Sequence, residues 1–203
     1  MNKKEHWDKA HAARHPREVS WYQQLPALSL RMIQESSVPA DTPLIDVGGG
    51  ASLLVDFLLE EGYRDITVLD VSGIALNKAR LRLGNRAAQV EWIEQDITCF
   101  EPERKYGLWH DRALFHFLIL EDERKKYVQA LRRSLQTGGQ LVISTFAIGG
   151  PARCSGLDIV QYDARKLELE LGGEFTLLEQ EQVLHQTPTE KEQLFGFYRF
   201  IMH

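Results

Sequence analysis

The stretch Leu44-Ile45-Asp46-Val47-Gly48-Gly49-Gly50-Ala51-Ser52 decides the fold. Pro43 to Val47 reads as a buried strand that runs straight into three glycines. From Ala51 to Glu61, Leu53, Leu54, Phe57 and Leu58 recur at helical spacing, and Gly62 ends the helix. Strand, glycine turn, helix is the opening of a parallel α/β unit. Glycine turns the backbone tightly and lets a ligand approach where a Cβ would stand. The helix that follows presents free N–H groups. The alternative reading of the stretch is a plain tight strand-to-helix turn.

Working outward, the same alternation continues. Asp65 to Asp70 reads as a second strand, and Ser72 caps a helix to Leu83 that Gly84 closes. Gln89 to Glu94 and Tyr106 to His110 read as strands three and four. Glu121 to Leu135 is a charged amphipathic helix stopped by Thr137-Gly138-Gly139, and Gln140 to Ala147 is a β-branched fifth strand. Ala164 to Leu171 is a helix ended by Gly172-Gly173. Phe175 to Gln186 and Gln193 to Met202 are strands with a turn at Pro188 between them. With no helix between them, this pair should be antiparallel, at one edge of an otherwise right-handed parallel sheet. Upstream, Pro26 to Ser36 reads as a helix with Leu28, Met32 and Ile33 on one face. Residues 1–25 are polar but carry Trp7, Trp21 and Tyr22.

The 203 residues suit one domain, and 24 basic against 29 acidic residues leave a net charge of −5. That balance argues against a nucleic-acid binder working through bulk charge. Two cysteines, Cys99 and Cys154, make neither a disulfide framework nor a metal-ligand spacing, so no metal is expected. The N-terminus lacks the apolar core of a signal peptide. The longest apolar run, Ala113 to Leu120, is broken by His116 and too short to span a bilayer. No membrane association is expected, and a cytoplasmic location is the default reading.

Three acids give the glycine turn chemistry. Asp46 precedes it in a D-x-G-x-G pattern, placing a carboxylate suited to a cationic or amine-bearing ligand. A dinucleotide fingerprint needs a third glycine where Leu53 stands, and Asp46 would repel a diphosphate; both oppose a nicotinamide dehydrogenase. Asp70 ends the second strand 22 residues after Gly48, where an acid accepts hydrogen bonds from ribose hydroxyls. It is otherwise an N-cap. Asp96-Ile97, after the third strand, can hold adenine: the acid takes the exocyclic amine and the apolar side chain packs on the ring. The alternative there is an Asx turn.

With these motifs, residues 40–203 resemble the class I S-adenosylmethionine-dependent methyltransferases. The resemblance implies a Rossmann-like α/β fold with helices on both faces of a seven-stranded sheet, order 3-2-1-4-5-7-6, the last strand antiparallel. It implies S-adenosylmethionine as cofactor across the carboxyl ends of strands one to four. Asp46, Gly48, Gly49 and Gly50 would line its methionine part, Asp70 with Val71 its ribose, and Asp96 with Ile97 its adenine. Ser52 stands where a third glycine often sits.

After strand four comes His110-Asp111-Arg112-Ala113-Leu114-Phe115-His116. No N-P-P-Y or D-P-P-Y tetrapeptide is present, which disfavours base-nitrogen or glutamine acceptors. Asp111 and His110 are expected at the methionine end of the cofactor. There Asp111 would bind cofactor or orient a nucleophile, and His110 or His116 would accept a proton. His116 is otherwise a core-edge histidine. The His6-Trp7-Asp8 and Ser20-Trp21-Tyr22 segments resemble the N-terminal cap of a subgroup that includes citrate synthase and elongation-factor lysine methyltransferases. That implies Trp21 and Tyr22 close over cofactor and substrate. The alternative is that Trp7 and Trp21 only staple a helix to the sheet. In the Gly-rich loop Ala147 to Leu157, Arg153 is placed to attract a carboxylate, and Cys154 is a soft substrate contact or an inert thiol. The expected organisation is a cap over residues 1–37 and a catalytic unit over 38–203. The expected function is methyl transfer to a small molecule, with a protein-lysine side chain as the alternative acceptor. A non-catalytic S-adenosylmethionine-binding module comes third.

Overall fold

Each strand of the sheet alternates its side chains between two helical layers, and that alternation fixes what reaches the site. The computed structural model describes residues 2–13 and 15–203. Helices α1 (Lys3–Ala13) and α2 (Ala27–Glu35) precede β1 (Leu44–Val47). Then follow α3 (Leu54–Glu60), β2 (Ile66–Asp70), α4 (Gly73–Leu83), β3 (Val90–Glu94) and β4 (Tyr106–Arg112). After α5 (Glu121–Ser134) and β5 (Leu135–Phe146) comes a small hairpin, β6 (Arg153–Cys154) and β7 (Leu157–Asp158). The chain ends with α6 (Ala164–Leu171), β8 (Phe175–Gln186) and β9 (Glu192–Met202).

The seven-stranded sheet has the order β3-β2-β1-β4-β5-β9-β8. Strands β1 to β5 pair in parallel, and β9 runs antiparallel to both β5 and β8. This is the expected topology; only the numbering shifts, because β6 and β7 form a separate two-stranded sheet. That hairpin lies in the segment read from sequence as a loop. Helix α3 begins at Leu54 rather than Ala51, since Ser52 Oγ accepts the Leu54 N–H at 3.1 Å and holds the turn out of the helix. Strand β4 runs on to Arg112, two residues past its expected end. Leu135 leaves α5 to pair with Tyr106.

One layer joins Ile45, Val47, Trp109 and Ile143 to α5 and α6 through Tyr127, Leu131, Leu167 and Leu171. The other joins Leu44, Val68, Leu108 and Val142 to α2, α3 and α4 through Met32, Ile33, Leu58 and Leu76. On β4, residues 108 and 110 therefore face the α2–α4 layer, whereas 109 and 111 face the α5–α6 layer. Among the described residues, no helix is long and apolar enough to cross a membrane.

Candidate active site

A cavity of about 510 Å³ opens over the carboxyl ends of the parallel strands. This is where an open α/β sheet presents its loops to a ligand. The glycine turn forms its floor. Gly50 adopts φ +48°, and a Cβ there would stand 2.9 Å from Asp70 Oδ2. A Cβ on Gly48 would strike Leu114 at 2.8 Å. The turn is thus pressed against both the second acid and the loop after β4. Gly50→Ala should cost about 1–2 kcal/mol in backbone strain and displace Asp70, lowering melting temperature and cofactor affinity together. Thermal melts and calorimetry of the folded variant check this.

Asp46 and His110 are paired residues of β1 and β4. His110 Nδ1 donates to Asp46 Oδ1 at 2.7 Å, which fixes the tautomer because a carboxylate only accepts. In the neutral ring Nε2 then accepts from Ser29 Oγ at 2.9 Å. All three residues are buried, so helix α2 is wired through the imidazole to the acid of the glycine turn. Asp46 and His110 line the cavity.

The ribose candidate, Asp70, also lines the cavity. Its Oδ1 accepts from Ser72 N–H at 2.8 Å. Burial pushes its carboxyl up to about 7, opposed by the Ser72 and Val71 N–H groups and reinforced by repulsion from Asp46 and Asp8. The N-cap duty falls to Ser72, whose Oγ accepts from Ala75 N–H at 3.2 Å. Ser72 Oγ also donates to Asp8 at 2.7 Å, tying α1 to the start of α4. At Asp96, the adenine candidate, Oδ1 accepts from Thr98 N–H at 2.8 Å and Thr98 Oγ1 at 2.8 Å, so an Asx turn does exist there. The other oxygen lies 3.8 Å from Lys3 Nζ, which pairs with Glu123 at 2.6 Å. Val71 and Ile97 line the wall between the two acids.

The N-terminal segment forms another wall. Trp7 meets Trp21 edge-on at 5.7 Å and Phe117 at 5.0 Å, and all three line the cavity. His11 packs on Trp21 at 5.8 Å and lines it too. Burial, with Lys78 nearby, pulls the His11 imidazole down to about 4, so it is neutral at pH 7. The hairpin contributes Arg153 and Cys154. Arg153 is exposed and paired with Asp158 at 3.0 Å. Cys154 is buried, and burial raises its thiol above the ordinary range, so it is protonated at neutral pH.

Three expected site residues lie elsewhere. Asp111 is fully buried and outside the cavity wall. It accepts from Leu114 N–H at 2.9 Å, Phe115 N–H at 3.4 Å and Tyr127 Oη at 2.8 Å. Strand alternation turns it to the α5–α6 layer, away from the methionine end where it was expected. His116 is also fully buried, stacked on Phe146 at 4.7 Å, with Nδ1 accepting the Phe146 N–H at 3.3 Å. Burial pulls its imidazole down to about 3, so it is a neutral core histidine. Tyr22 is half-buried and does not line the cavity.

Sequence reading passed over Arg112, His11 and Ser29. The signal for Arg112 was the two-residue period of β4: if His110 faces the cavity, so does Arg112 and not Asp111.

Residues 44–139 match the methyltransferase-domain family. A curated relative, the eEF1A lysine and N-terminal methyltransferase of Bos taurus, is 25% identical over 154 residues, 75% of this chain and 21% of that protein. The chain thus spans about a fifth of that relative's length. The N-methyltransferase NodS of Bradyrhizobium japonicum, solved with S-adenosyl-L-homocysteine, superposes with a TM-score of 0.73 at 18% identity, over 96% of this chain and 97% of that one. A protein solved in work on converting a disulfide bond into a thioacetal group during echinomycin biosynthesis superposes with a TM-score of 0.79 at 17% identity, over 98% and 91%. These two likenesses are of fold. Three acids, Asp46, Asp70 and Asp96, and a glycine floor that a Cβ would fill line the cavity, a donor set that would fit S-adenosylmethionine, the methyl donor of the proposal below. Residues 44–139, just under half of the chain, thus resemble a methyltransferase domain, and the chain shares its fold with solved methyltransferases.

Proposed function

We propose that the chain transfers a methyl group from S-adenosylmethionine to a small-molecule acceptor. The observation that carries this reading is the lining of the cavity: Trp21, Cys154 and Phe195 share one concave site of about 510 Å³ with Asp46 and the glycine turn, the mix of apolar wall and few polar groups that suits a small ligand. In this reading Asp46 and the three glycines hold the methionine part, Asp70 and Val71 the ribose, and Asp96 and Ile97 the adenine. The bound cofactor supplies an electrophilic methyl carbon on a sulfonium.

The protein's own residues contribute position and charge. Asp46, held by His110, places its carboxyl oxygens where a sulfonium or its amine would sit. Both His110 nitrogens are engaged, one by Asp46 and the other by Ser29, so the ring is held in place as a positioning group. His116, sealed in the core, has no such part, and Asp111 acts by pinning the loop after β4. Residues 1–37 serve as the cap over a catalytic unit of residues 38–203, supported by the Trp7–Trp21–Phe117 wall. Trp21→Ala should weaken S-adenosylhomocysteine binding about five-fold, near 1 kcal/mol, with little change in melting temperature. A large melting drop at unchanged affinity would return Trp21 to the role of a staple. Cytoplasmic residence goes with this reading, since Cys99 and Cys154 are free thiols.

A protein-lysine acceptor is the second reading, supported by the eEF1A methyltransferase relative. Methyl-labelled cofactor with a cell extract separates the two. A small-molecule enzyme labels only low-mass products; a lysine enzyme labels a protein band.

A further inference from the structure

We propose that Arg112 anchors a carboxylate on the methyl acceptor, making the substrate a small carboxylic acid. This rests on the methyltransferase reading above and deepens it. Arg112 is the last residue of β4 and lines the cavity. Among the described residues, its one hydrogen bond runs from Nη2 to the Trp21 carbonyl oxygen at 2.9 Å. That bond fixes the side chain and leaves most of its five donors free.

The other arginines that reach into the protein are neutralised. Arg31 pairs with Glu179, Arg82 with Asp56, Arg124 with Glu170 and Arg199 with Glu179. Arg112 forms no such pair among the described residues. The acid that acts on it through space is Asp46, whose Oδ1 is occupied by His110. Its imidazole neighbours, His116 and His185, are both driven toward the neutral form by burial, and Arg112 adds to the shift. Burial draws the guanidinium down to about 10, so it is charged at neutral pH. A half-exposed guanidinium with no ion pair among the described residues keeps donors for a ligand, and a counter-ion arriving with that ligand would pair with it.

Position tells whose anion it is. The ribose and adenine acids lie at the ends of β2 and β3. Arg112 ends β4, on the other side of β1 from them, bonded to Trp21, and Cys154, Gln193 and Phe195 line the same cavity. The planar fork of a guanidinium matches a carboxylate in two parallel hydrogen bonds, and Trp21 and Phe195 offer apolar surface to the rest of such a molecule. The carboxylate that Arg153 was expected to attract belongs here instead, because Arg153 is exposed and already satisfied by Asp158.

A carboxylate could also come from the methionine part of the cofactor, and the test separates the sources. Benzoate and the uncharged benzamide are titrated calorimetrically into the chain, with and without saturating S-adenosylhomocysteine, for wild type, Arg112→Gln and Arg112→Lys. The expected result is benzoate binding at least about ten-fold tighter than benzamide. Arg112→Gln should abolish that preference and Arg112→Lys weaken it, with S-adenosylhomocysteine affinity held within roughly two-fold. Equal binding of the two probes to wild type, or binding of neither, overturns the proposal even if the variants fail to fold. So does a preference that survives Arg112→Gln, or a variant that loses S-adenosylhomocysteine instead. Failure of wild type to bind S-adenosylhomocysteine, with the benzoate preference intact, would sink the methyltransferase reading and not this one.

Discussion

Asp70→Asn is expected to raise the stability of the ligand-free chain while costing it the cofactor. In the folded chain the Asp70 carboxyl titrates at about 7, far above its ordinary 3.8. The folded state therefore holds its proton more tightly than the unfolded state. Between about pH 4 and 7 the folded chain binds more protons, so stability falls as pH rises through that window. Above it, the buried anion imposes its full penalty, on the order of 4 kcal/mol. Asparagine keeps the Ser72 N–H bond and carries no charge, so its gain should be absent below pH 4 and level off above pH 7. At pH 8 the melting temperature should rise by roughly 5 °C or more. Affinity for S-adenosylhomocysteine should fall about ten- to a hundred-fold, because ribose hydroxyls lose a charged acceptor. In wild type that affinity should strengthen as pH rises through 7. Melts and calorimetry at pH 5 and 8 check both halves. A variant that melts lower at pH 8, or binds cofactor as wild type does, would contradict this account of Asp70.

Asp111→Ala is expected to damage the fold before it damages the chemistry. The carboxylate gathers two backbone N–H groups and the Tyr127 hydroxyl, and Tyr127 accepts in turn from Trp109 Nε1 at 2.9 Å. Its loss leaves these buried groups without their acceptor, costing at least about 3 kcal/mol. A chain of this size should then melt about 6–12 °C lower. Ala113, at φ +69° in the loop that Asp111 holds, adds strain that the carboxylate now offsets. Cofactor affinity of the protein that remains folded should stay within roughly three-fold of wild type. Normal melting with lost affinity would put Asp111 back at the cofactor.

The two residues show where sequence was legible and where it was not. Asp70 could be placed at the cavity because its location follows from position along the chain: the end of the second strand, a fixed distance after a glycine turn. The same holds for Asp46, Asp96 and the sheet order, which follow from element succession. Asp111 and His116 were misjudged because their roles depend on which layer a side chain enters. Next to His110, an acid looks like part of the site until the pleat sends it to the opposite face. Arg112 shows the converse. Its meaning lies in forming no ion pair among the described residues, and that is a property of packing. The His110–Ser29 bond joins residues 81 positions apart, a pairing that no local pattern encodes. The β6–β7 hairpin, of two-residue strands, left no period to detect.

The central claim is that this cavity binds S-adenosylmethionine, and calorimetric titration of the wild-type chain with S-adenosylhomocysteine tests it most directly. The account predicts one site per chain, tighter at pH 8 than at pH 6, and largely lost in Asp70→Ala. No binding at either pH by a folded chain, or binding that Asp70→Ala leaves unchanged, would contradict it.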